Sequence, residues 1–196
     1  MTDMSMIDAA VSRHQSRAVE IIDRYWHDLS AACPVPRRSA VDAGAIQDAL
    51  EYAFMADHLS CGHARLRVAG GALSAIMGME VAGMPLSVLA IPPARKAFNL
   101  HIARVFDEPV QLCMNLHAAA QYGKPSIEAQ LRLYPLRDDV NDITKCIGTF
   151  ITSGPTGRTP RRFDIGEVAT AAITTPMLPP PPALARRGHL RLVVSN

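Results

Sequence analysis

Apolar residues near the start of the chain recur every three or four positions between about residues 8 and 32. This spacing places them on one face of an amphipathic α-helix. Such a helix must bury its apolar face, either on its own domain or on a second copy of the chain. The pattern leaves both arrangements open. The candidate dimer or partner surface on this face consists of Ile22, Tyr25, Trp26 and Leu29.

The next segment predicts a short helix followed by a hairpin. Asp42 precedes a helical pattern over residues 43–50 and can cap its free N–H groups. Residues 52–57 and 64–69 then have strand character, and a polar connection that contains Gly62 joins them.

Four glycines divide the segment from residue 65 to residue 89. Gly70-Gly71 turns the second strand into a short helical run that Gly78 ends. A further short helix can follow Gly83-Met84-Pro85, because proline suits the first turn of a helix. A strand that leads into several short helices predicts a wall beside the sheet.

The second half of the chain predicts one helix and three strands. Helical spacing covers residues 91–106, and Pro92 and Pro93 stand where the helix begins. Strict alternation of apolar and polar residues marks residues 110–117 and 127–134, and residues 143–152 form the third strand. Three strands in succession form an antiparallel meander. The predicted sheet therefore has five strands, with the helices between the second and the third.

Several short sequences of the chain also resemble a known family. They are Tyr25-Trp26, Arg67-Val68-Ala69-Gly70, the spacing from Gly78 to Gly83, and Leu133-Tyr134-Pro135-Leu136. Through them, residues 25–152 resemble a family of small bacterial PAS-fold proteins that was long described only as a domain of unknown function. The resemblance implies an α+β fold, a PAS-like five-stranded antiparallel sheet with short helices on one face. We expect an N-terminal helical extension over residues 1–36, the PAS-like domain over 37–153, and a tail over 154–196.

The resemblance places a ligand cavity between the sheet and its helices. An apolar lining would suit an apolar or amphipathic small molecule. The same side chains can equally fill the space by packing against each other. The candidate pocket residues are Leu66, Val68, Met77, Phe98, His101, Ile102, Leu112, Met114 and Leu131.

Cofactor binding is weighed at two places. Some haem-binding PAS sensors use a histidine of the helix that carries His101 as the iron ligand, but a histidine bonded to backbone or water explains the residue equally simply. His58, Cys61 and His63 are residue types that zinc accepts, yet a structural zinc site normally needs four ligands. A solvated loop is the simpler interpretation, so we assign no metal. The stretch from Ala72 to Gly78 lacks the cysteine that light-sensing PAS relatives use with flavin.

Motifs for catalysis are absent from the sequence. It contains no phosphate-binding glycine loop before a lysine, no Glu-x-x-His pair and no Gly-x-Ser-x-Gly elbow. We therefore expect no enzymatic activity.

Composition fits one soluble domain with extensions. The chain has 196 residues, of which 48% are hydrophobic and only 5% aromatic, so aliphatic side chains must fill the core. No apolar run is long enough to span a bilayer, and the N-terminus lacks the pattern of a secretion signal. We expect a bacterial cytoplasmic protein with four reduced cysteines.

The last part of the chain differs in composition. Residues 154–196 contain seven of the fifteen prolines, and six arginines against two acidic residues. Pro179 to Pro182 should be extended, residues 164–173 can form a short helix, and residues 189–195 can form a strand. The arginines lack the aromatic residues that single-strand binders place between basic positions, so nucleic-acid binding is not expected.

These observations predict a stand-alone PAS-like sensory or protein-interaction module. It would bind a small apolar or amphipathic ligand and signal through a protein partner, and we expect a homodimer. Two alternatives remain open: a haem- or metal-dependent sensor or small enzyme, and a ligand-free dimeric adaptor.

Overall fold

The computed structural model describes residues 3–60 and 62–173, with the side chains of residues 12–59 and 62–173. Short 3-10 turns lie at Arg38–Ala40, Gly44–Ala49, Leu86–Leu89 and Pro92–Ala94. The helices are α1 (Asp3–Ser30), α2 (Gly71–Met77) and α3 (Arg95–Asp107). The strands are β1 (Ala53–Ser60), β2 (His63–Ala69), β3 (Val110–Ala118), β4 (Ile127–Leu136), β5 (Lys145–Ser153) and β6 (Asp164–Ala172).

The strands form one antiparallel sheet in the order β2-β1-β5-β4-β3-β6. Five of these strands are the predicted ones, with bounds shifted by a few residues. The sixth, β6, is new, and the helix expected over residues 164–173 is wrong. An isolated helix of that length is marginal in water, whereas the free edge of β3 offers β6 backbone partners from His117 to Val110. The segment after residue 153 therefore continues the sheet.

Two glycines shape the wall beside the sheet as predicted. A Cβ on Gly70 would overlap the carbonyl oxygens of Leu50 and Glu51, so only glycine lets the chain turn from β2 into α2 there. α2 ends at Gly78, whose φ of 69° lies in the left-handed region. Pro85 then precedes the turn Leu86–Leu89, as its preference for a helix start predicts.

The main core lies between the inner face of the sheet and the helices α2 and α3. Inward residues of β1–β5 meet the apolar faces of both helices in one continuous cluster. Phe163, which directly precedes β6, also belongs to this core and is fully buried. Its backbone bonds to Leu89 and Ile91 tie the start of β6 to the helical wall.

A second core lies on the opposite, outer face of the sheet, under α1. Ala18, Ile22 and Trp26 of α1 are buried there with residues of β4 and β5. Of the two arrangements open to the N-terminal helix, the structure has the intramolecular one. β4 and β5 are therefore covered on both faces. Where the end of β4 pairs with the start of β5, side chains on both faces are buried, so the alternation of buried and exposed residues is lost there.

Candidate functional site

The candidate pocket residues converge on the main core. Their side chains lie between the sheet and the helices α2 and α3, and each is at most 2% exposed. They pack into one cluster, which is the arrangement expected of a filled interior. The residues so placed are Leu66, Met77, Phe98, Ile102, Leu112, Met114 and Leu131.

Val68 does not belong to this interior. Met55 of β1 pairs with Val68, but the next residue, Ala56, pairs with Leu66, so Arg67 is an extra residue in β2. Such a bulge reverses which face the following side chain occupies. Val68 is accordingly 60% exposed on the outer side, and the simple alternation that placed it in the pocket is wrong at this position.

His101 lies at the margin of the apolar face of α3. It is half-buried, whereas Phe98 and Ile102 on the same helix are fully buried. A haem would need a large space beside His101, and the neighbouring interior is occupied by its own side chains. The described residues therefore do not fit haem as they stand, nor does the stretch from Ala72 to Gly78 offer a flavin-reactive cysteine.

The two histidines of the β1–β2 hairpin, His58 and His63, lie in different surroundings. His58 stacks on Phe106 with ring centroids 4.6 Å apart, and its Nε2 is buried without a hydrogen-bond partner. His63 is exposed, and Cys61 lies outside the described residues. No group of three potential metal ligands occurs in the described part of the chain.

Two of the four candidate partner residues on α1 are buried within the chain. Ile22 is 0% and Trp26 2% exposed, and the indole Nε1 of Trp26 donates a hydrogen bond of 3.0 Å to the carbonyl of Pro135. Tyr25 and Leu29 are half-buried, and the hydroxyl of Tyr25 bonds the backbone at Ala40 and Asp42. The apolar face of α1 is thus covered by its own sheet.

A polar contact between α1 and the outer face of the sheet was not predicted from the sequence. The hydroxyl of Tyr134 donates a hydrogen bond of 2.8 Å to Asp23. Burial raises the pKa of Tyr134 well above its usual value, and the nearby Asp23 carboxylate raises it further. A cavity of about 150 Å³ beside this pair is also lined by Cys113, Arg132 and residues 169–171. The two partners are 111 positions apart, so no local pattern could have paired them.

The buried thiol of Cys146 behaves as a small hydrophobic residue. It is fully buried in the main core, and burial raises its pKa to about 12. Cys33 and Cys113 are half-buried free thiols.

Comparison with known proteins finds one matching family and several similar solved structures. The family model for a PAS domain matches residues 13–151. No curated protein matches the chain. Within residues 3–60 and 62–173, no helix is long and apolar enough to cross a membrane.

Three solved structures illustrate the similar folds. A light-oxygen-voltage domain studied with a flavin analogue is 16% identical, with a TM-score of 0.44 over 57% of this chain and 83% of that one. An RNA-binding light-oxygen-voltage receptor is 20% identical, with a TM-score of 0.40 over 59% of this chain and 35% of that one. The Aureochrome1 blue-light photoreceptor domain is 17% identical, with a TM-score of 0.40 over 58% of this chain and 90% of that one.

Proposed function

This chain belongs to the PAS domain family, and on that premise we propose that it is a sensory and protein-interaction module that takes up a small apolar or amphipathic molecule and signals through a protein partner. The candidate ligand region is the interior between the sheet and the helices α2 and α3. The candidate signalling surface is α1 together with the part of the outer sheet face beside it.

One observation supports a link between these two regions: the same strands are buried on both faces. On β4, Leu131 and Leu133 enter the main core, whereas Tyr134 belongs to the core under α1. On β5, Phe150 enters the main core, whereas Ile147 belongs to the core under α1. A closely packed interior transmits strain when its volume changes. A molecule that enters the main core would therefore shift β4 and β5, and with them the sheet surface on which α1 packs.

The chemistry of the interior sets the class of ligand. The buried candidate residues are aliphatic, thioether or aromatic, and His101 at the margin is the polar group among them. An apolar body would be favoured inside, and one polar group could remain near His101. Binding requires repacking, because the side chains already fill the region.

The test begins with an absorbance spectrum and a native mass spectrum of protein purified without added cofactor. A mass excess that disappears on denaturation would identify a resident molecule. Adding that molecule back should change the hydrogen-exchange protection of the interior strand segments and of α1 together. If protection changes in the interior alone, the proposed route to α1 is wrong.

The filled interior favours a second candidate function, a ligand-free adaptor. Protein at its bare mass, with no small molecule in a solvent extract, would support this candidate. The same native spectrum shows whether the chain is a dimer. A Soret band would instead support the haem-dependent alternative, in which His101 is the candidate iron ligand.

A further inference from the structure

A cavity of about 300 Å³ lies at one end of the sheet, at the border of the main core. It is formed where the end of β3, the following loop and the start of β6 meet the segment before α3. None of the candidate pocket residues lines it. Its walls are Ile91, Pro92, His117, Ala118, Ala119, Gln121, Lys124, Pro160, Arg161, Arg162 and Asp164.

Positive charge predominates in this cavity. Lys124, Arg161 and Arg162 are cationic, and Asp164 is the single carboxylate in the lining. The Nζ of Lys124 donates a hydrogen bond of 2.8 Å to the carbonyl of Pro160, which leaves two ammonium hydrogens for another acceptor. Arg162 is exposed and has no ion pair within the described residues.

Arg161 is the most unusual residue of the cavity, because it is a buried cation that forms no ion pair within residues 3–60 and 62–173. It is 2% exposed, and its guanidinium donates hydrogen bonds to the carbonyls of Pro125 and Thr156. No carboxylate forms an ion pair with it in the part of the chain that the structure describes. Carbonyl bonds satisfy two donors but do not neutralise the charge, and an uncompensated buried charge is costly.

Most of the remaining lining is apolar, so a ligand with an apolar portion would be favoured. Ile91, Pro92, Ala118, Ala119 and Pro160 provide aliphatic surface beside the cations. We propose that this cavity binds a small organic acid. The carboxylate or phosphate group of the acid lies beside Lys124 and Arg162 and is also attracted by the charge of Arg161. The short apolar part of the acid packs against the aliphatic walls. Four of the lining residues, from Pro160 onward, follow the last residue that the family model matches. The site therefore includes residues outside the matched family segment, and it does not rest on the proposed function.

The test uses the full chain with benzoate and phenyl phosphate as probes, and with benzamide as the uncharged counterpart. Titration calorimetry measures the affinity, and amide chemical shifts at Ala118, Ala119 and Gln121 report the location. At least one of the two acids should bind saturably, shift these amides and weaken as salt increases. Benzamide should do none of these.

Two surface variants then separate this site from general charge effects. Arg162→Gln removes a cation and should weaken the acid about tenfold. Gln121→Glu is nearly isosteric, places a second carboxylate in the lining, and should weaken it by at least as much. Arg24→Gln on α1 and Gln47→Glu in the turn Gly44–Ala49 make the same charge changes at exposed positions outside the lining, and should leave affinity unchanged.

The proposal is overturned by any of three results. Neither acid binds saturably, benzamide binds as well as the acids, or the control variants weaken binding as much as Arg162→Gln and Gln121→Glu do. Unfolding curves of all four variants show whether each remains folded, and all four positions are exposed, so loss of the fold is not expected.

Discussion

Asp138 organises the loop between β4 and β5 through its carboxylate. One oxygen accepts hydrogen bonds from the backbone N–H groups of Val140 and Asp142, at 3.1 and 2.9 Å. The other accepts a hydrogen bond of 2.7 Å from the hydroxyl of Thr144. The Thr144 bond, together with the two backbone bonds, lowers the pKa of Asp138 below its usual 3.8.

Replacing Asp138 by Asn should therefore destabilise the protein in a pH-dependent way. The carboxylate has a lower pKa in the folded chain, so its contribution is complete above pH 3.8 and is lost as pH falls through the folded value. We expect Asp138→Asn to lower the unfolding midpoint at neutral pH, and the difference from wild type to shrink in acid. Asp139→Asn, at an exposed neighbour, is the control. A difference that is independent of pH would contradict this account.

The bulge in β2 makes a second prediction at the scale of single residues. Leu66 is fully buried and Val68 is 60% exposed, although strict alternation treats them alike. Leu66→Ala should lower the free energy of unfolding by about 2–5 kcal/mol, and Val68→Ala should change it by no more than about 0.5 kcal/mol. Denaturant unfolding measures both. Equal losses would mean that Val68 also points inward.

At the scale of elements, α2 depends on how its end meets a later loop. A Cβ on Gly78 would collide with the side chain of Thr159, and its φ of 69° disfavours any other residue. The helix end and the segment before β6 thus fit together only because Gly78 has no side chain. The same segment carries Arg161, whose backbone N–H bonds the carbonyl of Ile76 in α2.

Alanine substitutions at the two ends of α2 should have opposite effects. Gly78→Ala should lower the free energy of unfolding by at least about 2 kcal/mol, because it combines a left-handed backbone with a collision. Gly71→Ala, whose added Cβ meets nothing within 4 Å, should stabilise the helix by up to about 1 kcal/mol. Thermal unfolding of the two variants tests this prediction. Equal effects of Gly78→Ala and Gly71→Ala would contradict the close contact between Gly78 and Thr159.

At the scale of the whole molecule, the sheet and the core extend past the matched family segment. Phe163 is fully buried, and its ring lies 5.7 Å from that of Phe150 in an edge-on arrangement. β6 pairs with β3 over most of its length. Residues 154–173 therefore contribute to the same core as the family segment that precedes them.

Shortened chains test this contribution. A chain that ends at residue 153 loses Phe163, Arg161 and β6, and the loss of a buried phenylalanine alone costs about 3–5 kcal/mol. Typical domains are stable by only about 5–15 kcal/mol. We expect this chain to lose cooperative unfolding, and a chain that ends at residue 173 to keep it. Cooperative unfolding of the shorter chain at an unchanged midpoint would show that β6 is dispensable.

Local chemistry alone determined much of this protein. Periodicity located α1, α3 and five strands, and Gly70, Gly78 and Pro85 marked turns because backbone geometry is a property of the residue itself. Seven of the nine candidate pocket residues, named from strand alternation, helical spacing and the family resemblance, lie in the interior: Leu66, Met77, Phe98, Ile102, Leu112, Met114 and Leu131.

Only the tertiary structure decided the rest, because it depends on which distant surfaces meet. The seat of α1 on its own sheet, the outward turn of Val68 and the pairing of β6 with β3 all depend on partners far away in sequence. The same holds for Arg161, which the sequence places in a proline- and arginine-rich tail and the fold buries beside a cavity of about 300 Å³. A free strand edge and an uncovered apolar face exist only once the sheet has formed, so no local pattern could have assigned these contacts.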